Sequence, residues 1–120
     1  MALEELAAWT FVCETTPPSS ITELLIPGEE AVAAYKTLRD TAVITNKRLI
    51  VADKQGITGK KVELYTIPFK NIEMYSTENA GFLDFSSELE LWTRTGKIKI
   101  KLNRGVDIRK LDKLIAQYIL

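Results

Sequence analysis

Histidine is absent from this 120-residue chain, and cysteine occurs once, at Cys13. Without histidine there is no histidine triad, zinc–histidine site or histidine pH switch. A single cysteine excludes an internal disulfide, and a lone cysteine is most often a small buried apolar residue, which is what we expect here. No acidic pair is tied by its spacing to a base or a nucleophile. We therefore expect no catalytic residue, no metal site and no cofactor.

Long apolar runs are also missing, because no stretch approaches the roughly 18–20 residues that span a bilayer. Sixteen basic and sixteen acidic residues leave a net charge of zero, which argues against strong general attraction to nucleic acid or to an anionic membrane. The acidic residues 1–6 lack the basic region of a secretory signal. These features predict a cytoplasmic protein that does not bind nucleic acid, and the length predicts one globular domain.

The zero net charge hides four blocks of alternating sign. Residues 1–35 and 62–93 are acidic, whereas residues 36–61 and 94–120 are basic. Two interpretations stay open: ordinary solvated faces, which we favour, or acidic and basic surfaces that meet between strands or between copies of the chain.

The N-terminal part is expected to stand apart from the rest. The run Thr15–Ser20 contains two prolines and breaks both helix and sheet. We therefore predict an N-terminal arm over residues 1–19 and a domain over residues 20–120. Trp9 and Phe11 fall in the arm, with no obvious core, and removal of the arm should leave the domain folded.

Two short helical segments are predicted near this break. Residues 2–9 have moderate helical propensity, with apolar residues spaced for one face. Ser20 followed by Glu23 matches a capping box and predicts a short helix that ends at Pro27-Gly28.

The middle and end of the chain predict strands. A turn at residues 46–47 separates the β-branched runs 41–45 and 49–52. Segments 87–92 and 97–102 alternate strictly between apolar and charged residues, which predicts a hairpin with one buried face. Its register pairs Leu91 with Ile98, Leu89 with Ile100, Glu90 with Lys99, and Glu88 with Lys101.

Between these hairpins, Pro68 marks a break, because it would remove a hydrogen-bond donor from a sheet. A strand is expected to resume at residues 69–76. Strict alternation then places Ile72 and Met74 on one face and Tyr75 on the other.

The final segment predicts an amphipathic helix that begins at a cap on Asp107. Its basic face permits two interpretations, a helix lying on a membrane surface or a helix covering a sheet, and we favour the second. The expected core shared with the last hairpin comprises Leu89, Leu91, Ile98, Ile100, Leu111, Leu114 and Ile115.

Four segments resemble the bacterial pleckstrin-homology family. They are the TNKRLI hairpin at residues 45–50, the DKQGITGKK loop at residues 53–61, the IPFKNI step at residues 67–72 and the GVDI start of the last helix at residues 105–108. The resemblance covers residues 21–120. It implies a bent antiparallel barrel of about seven strands, capped by the C-terminal helix.

The resemblance also implies closed homo-oligomeric rings and no enzymatic activity. Phosphoinositide-binding relatives carry a basic pattern on the first hairpin. Here that hairpin offers Lys36 and Arg39, and the basic pair expected on the next strand is absent. We therefore do not expect membrane or phosphoinositide binding there. The function expected is a binding and assembly module that associates with itself and accepts a protein partner.

The alternative function is a lipid or phosphoanion binder that uses basic loops. Its candidate residues are Lys54, Lys60 and Lys61, which flank two glycines whose backbone N–H groups are free to hold an anion. A solubilising loop is the interpretation that we favour for them. Aromatic residues are enriched at protein interfaces, and the candidates for an interface between copies are Trp9, Phe11, Tyr75 and Trp92.

Overall fold

The structure, a computed structural model, describes residues 5–55, 60–79 and 86–120. In these ranges the chain forms eight strands, two helices and one 3-10 turn. In chain order they are β1 (Glu5–Thr15), α1 (Ser19–Thr22), β2 (Ala31–Thr37), β3 (Thr41–Thr45), β4 (Arg48–Gln55), β5 (Lys61–Pro68), the 3-10 turn (Phe69–Asn71), β6 (Ile72–Glu78), β7 (Ser86–Thr93), β8 (Lys97–Asn103) and α2 (Ile108–Ile119).

All eight strands belong to one curled sheet with the order β5-β4-β3-β2-β1-β8-β7-β6. Neighbouring strands are antiparallel except for β1 and β8, which are parallel. Three strands separate β1 from β5, yet the rings of Trp9 and Tyr65 lie 5.1 Å apart. A flat sheet spaces neighbouring strands by about 4.8 Å, so this contact requires strong curling. The expected bent barrel is confirmed, with one strand more than predicted.

The additional strand is β1, and it corrects the expected helix over residues 2–9. Its residues 5–15 pair with both β2 and β8, in the middle of the sheet. Phe11 is fully buried and stacks on Tyr35 at 5.0 Å, while Trp9 is 8% exposed. The idea that Trp9 and Phe11 lack a core is therefore wrong. Pairing on both sides outweighs a moderate helical propensity, and deletion of residues 1–19 would remove an inner strand.

Two irregularities alter the expected facing of side chains. A bulge between Ile72 and Met74 shifts the register of β6, so Ile72 is buried while Met74 is 55% exposed. Tyr75 therefore turns towards the core, which reverses the predicted alternation. A second bulge lies between Phe11 and Cys13. Cys13 is half-buried beside it, rather than a fully buried core residue.

The outer side of β2, β3 and β4 is covered by α1. Ile21 of α1 is buried against Ala34, Val43 and Ile50, one from each strand. A short helix is present as predicted, but it ends at Thr22 rather than at Pro27-Gly28, and its predicted capping box is wrong. Pro18 occupies the N-cap, and its carbonyl accepts the amides of Ile21 and Thr22 at 3.0 Å.

The last hairpin has the predicted register, including all four of its apolar and charged pairs. The long helix α2 begins as predicted, since the Asp107 Oδ1 accepts the amides of Arg109 and Lys110, each at 3.1 Å. Leu111 and Ile115 are buried in the core that lines the inside of the sheet, and Leu114 is half-buried against it. Helix and hairpin therefore share one core, and the predicted role of α2 as a cover is confirmed.

Candidate interaction surfaces

The signature segment at residues 45–48 forms a structural turn around one hydroxyl group. The Thr45 Oγ1 accepts the backbone amides of Lys47 and Arg48, each at 3.0 Å. The same hydroxyl donates to the Glu29 Oε2 at 2.7 Å. Thr45 is fully buried, so a threonine here closes the β3–β4 turn and also holds a carboxylate from another part of the chain.

Asn46 connects this turn to the loop before β2. Its amide oxygen accepts the Glu30 amide at 2.8 Å, and its amide nitrogen donates to the Gly28 carbonyl at 3.1 Å. Gly28 has a φ of 84°, the left-handed conformation that glycine adopts without strain. Together with the backbone bond from the Asn46 amide to the Glu30 carbonyl at 3.1 Å, these side-chain bonds fasten the loop where it enters β2.

Arg48 completes the cluster through two contacts with the Glu29 carboxylate. The Nε lies 2.8 Å from Oε2, and an Nη lies 3.0 Å from Oε1. The Glu29 side chain has no exposed surface. The hydrogen bonds from Arg48 lower the pKa of Glu29 to about 2, against the opposing effect of burial. Arg48 is thus committed to a structural ion pair rather than to a ligand.

Arg39 of the β2–β3 turn is similarly committed. Its guanidinium pairs with the buried Asp53, and it donates to the Lys54 carbonyl at 2.9 and 3.2 Å. The residue that the sequence offered as part of a phosphate-binding pattern therefore fastens this turn to the end of β4.

The candidate anion loop is only partly described, because residues 56–59 lie outside the described ranges. Lys54 is paired with Val62, and Lys61 with Gln55, on the facing strands β4 and β5. Lys54 and Lys61 thus occupy positions of opposite parity and point to opposite faces of the sheet. Lys60 is exposed immediately before β5. Anion binding by these three lysines stays a prediction.

The four aromatic interface candidates are not brought together. Phe11 has no exposed surface, and Trp9 has little, so these two contribute to the core. Tyr75 is half-buried on the inner side, where burial raises its pKa. Trp92 lies on the outer side of β7, directly beside Met74 of β6.

Sequence reasoning missed the apolar side chains on the two strands at the ends of the sheet. Val62 and Leu64 of β5 are each 46% exposed, and Met74 of β6 is 55% exposed. The positions of Val62 and Leu64, two residues apart, indicate one apolar face, but only the topology identifies β5 as an end strand. Unpaired strand edges with apolar neighbours are surfaces on which another chain can add.

Neither a metal-ligand cluster nor a membrane-spanning helix is found among the described residues. Within residues 5–55, 60–79 and 86–120, no three histidine, cysteine or acidic side chains cluster to hold a metal ion. No helix in the same ranges is long and apolar enough to cross a bilayer. What this geometry presents is a strongly curled sheet, a helix over its inner side and two apolar end strands.

A curled, mostly antiparallel sheet with a C-terminal helix defines the chain as a protein of the pleckstrin-homology type. The family model for the bacterial PH domain matches residues 2–119. The chain therefore belongs to the bacterial PH domain family. The match contains the whole of β1, so the family domain begins earlier than the resemblance over residues 21–120 indicates.

Relatives of known sequence and structure agree with this assignment. The chain is 51% identical to the uncharacterized protein YjqA of Bacillus subtilis over 99 residues, covering 80% of this chain and 79% of that one. It is 28% identical to the uncharacterized protein YozO of the same organism over 108 residues, covering 90% and 94% of the two chains.

Two crystal structures from Shewanella species share the fold. One is a DUF1696 family protein with a pleckstrin-homology domain from Shewanella loihica, with a TM-score of 0.80, 37% identity, and coverage of 90% of this chain and 97% of that chain. The other is a pleckstrin-homology domain from Shewanella amazonensis, with a TM-score of 0.68, 43% identity, and coverage of 84% and 83%.

Proposed function

We propose that this protein is a non-enzymatic assembly module of the cytoplasm, and that it associates with copies of itself through its end strands β5 and β6. The observation that carries the proposal is the pair of apolar ends, Val62 and Leu64 on one and Met74 beside Trp92 on the other. Exposed apolar side chains on a strand edge favour addition of another chain.

The sheet order supports a head-to-tail arrangement. Each chain carries one β5 end and one β6 end, and they differ in sequence. A contact between β5 of one copy and β6 of the next repeats in one direction. Such a contact closes into a ring if its rotation permits, and otherwise grows into a filament.

Sedimentation of the full chain at concentrations on the order of tens of micromolar tests self-association. A single monomeric species would contradict the proposal. Two single variants, Leu64→Lys and Met74→Lys, each block one end at an exposed position and should each reduce assembly. Lys113→Glu, on the exposed side of α2, is the control and should leave assembly unchanged.

Mixing the two blocked variants tests the head-to-tail geometry. Leu64→Lys keeps a competent β6, and Met74→Lys keeps a competent β5. An equimolar mixture should therefore form a dimer that neither variant forms alone. A mixture that stays monomeric while the wild type assembles would show that the ends do not meet in this way.

A further inference from the structure

A groove on the outer side of the sheet lies away from both end strands. It has a volume of about 530 Å³ and is bordered by β1, β8, β7 and the β2–β3 turn. Ala8 and Thr10 of β1 lie beside Lys99 and Lys101 of β8 in the parallel ladder. The groove exists because two small side chains form its floor between the taller lysines and the turn.

One wall is an apolar residue on a well-fixed turn. Leu38 is 74% exposed. The Thr37 hydroxyl accepts the amides of Arg39 and Asp40 at 3.2 and 2.9 Å, and Arg39 is fastened to β4 by its bonds to the Lys54 carbonyl. Leu38 is therefore presented to solvent by a turn whose own hydrogen bonds are already made, which is a preorganised contact surface.

The opposite side carries positive charge. Glu88 pairs with Lys99 at 3.4 Å, diagonally rather than straight across the hairpin, and its hydrogen bond raises the pKa of Lys99. Lys101 lies directly opposite Glu88 in the hairpin, but it forms no ion pair within the part of the chain that the structure describes. Lys101 is therefore available to an anionic group that enters the groove.

We propose that this groove binds an extended acidic peptide segment of another protein. Lys99 and Lys101 are two residues apart on one strand, a separation of about 6.8 Å. Acidic side chains at alternate positions of an extended peptide share the same face and the same spacing. One carboxylate pairs with Lys101, and the other takes the place of Glu88 at Lys99, whose partly exposed ion pair is weak. An apolar residue two positions beyond the second acid lies on the same face and contacts Leu38. The match of charge and spacing favours a peptide over a small anion, and this proposal does not depend on self-association.

Fluorescence anisotropy with two labelled peptides of identical composition tests the spacing. The first is Glu-Ser-Glu-Ser-Leu, with both acids and the leucine on one face, and the second is Glu-Glu-Ser-Ser-Leu, with its acids on opposite faces. We expect the first to bind about fivefold or more tightly than the second, since adjacent residues of a strand point apart. Equal binding of both peptides, or no binding of either, would overturn the proposal.

Variants locate the binding in the groove. Lys101→Glu should weaken the first peptide by about tenfold, because it replaces attraction by repulsion, and Leu38→Ser should weaken it by less. Lys113→Glu makes the same charge change on α2 and should have no effect. An equal loss in Lys101→Glu and Lys113→Glu would indicate only general charge attraction. Displacement of the peptide by inorganic phosphate at equal ionic strength would identify a small-anion site instead, and would overturn the peptide assignment.

Discussion

The two halves of the sheet, strands β2 to β4 and strands β7 and β8, are built differently. In β2, β3 and β4 both faces are buried, since α1 covers the outer side and the main core fills the inner side. In β7 and β8 only the inner face is buried, and the outer face carries Glu88, Glu90, Lys99 and Lys101. Consecutive Val43 and Ile44 are both inaccessible, whereas Ile98 and Ile100 alternate with lysines. Strands that are covered on both faces, here by the core and by the four-residue helix α1, have consecutive apolar residues. Strands that are covered on one face alternate between apolar and charged residues.

The largest expected loss of stability comes from a charge placed on the covered outer face of β2 to β4. Ile50→Lys places an ammonium group at a buried position that is packed against Ile21 and Val43. We expect a loss of about 4 kcal/mol or more in the free energy of unfolding, because a buried unpaired charge is among the most destabilising changes. Urea denaturation followed by circular dichroism measures the loss.

The matched change on the open side is Lys101→Ile, which removes a charge from an exposed outer position of β8. Its effect on unfolding should stay within about 0.5 kcal/mol. Comparable losses in the two variants would show that the outer faces do not differ as described.

The inner core is common to both sides, and Leu111→Ala tests it. Leu111 has no exposed surface and lies in the cluster that contains Leu89 and Ile100. Truncation should cost about 2–5 kcal/mol, from the lost burial and the cavity that remains. Leu120→Ala, at an exposed position on the same end of the chain, is the control. A loss of less than about 0.5 kcal/mol for Leu111→Ala would mean that α2 does not cover the sheet.

The cluster of Glu29, Thr45 and Arg48 belongs to the covered side, and Glu29→Gln should destabilise the protein by about 3 kcal/mol at about pH 7. The pKa of Glu29 is lowered from 4.5 to about 2 in the folded chain. The stabilisation by Glu29 is therefore complete above about pH 4.5 and is lost as the pH falls towards 2.

Urea unfolding of the wild type and the Glu29→Gln variant across this pH range checks both parts of the prediction. The difference between the two proteins should shrink as Glu29 becomes protonated. A difference that is independent of pH would show that the carboxylate charge does not stabilise the turn.

The smallest expected effect is at the start of α2. Asp107→Ala removes the side chain that accepts the amides of Arg109 and Lys110. Loss of an N-cap typically costs about 1 kcal/mol. Thermal unfolding should detect it, and Asp107→Asn, which retains an acceptor, should recover most of the loss. An alanine variant as stable as the wild type would mean that the cap contributes nothing.

The features predicted correctly are those that depend on local pattern. The β7–β8 register follows from strict alternation, because a shift of one residue would place Leu91 opposite Lys99. The amphipathic helix α2 and its cap at Asp107 follow from spacing and side-chain chemistry. The sequence predicts a turn at residues 46–47 but not the buried contact of Thr45 with Glu29, because Glu29 lies 16 residues before Thr45.

The amino-acid sequence by itself determined the alternation of the last hairpin, the long helix and the absence of histidine chemistry, since each depends on neighbouring residues or on composition. Only the tertiary structure decided that β1 is an inner strand, that Met74 rather than Tyr75 faces outward, and that β5 and β6 end the sheet. These outcomes depend on pairing between distant segments, and strand pairing free energy is realised only when the partner is present. The groove beside Lys101 was likewise decided only by the tertiary structure, because its walls come from strands that are far apart in the chain and adjacent only in the curled sheet.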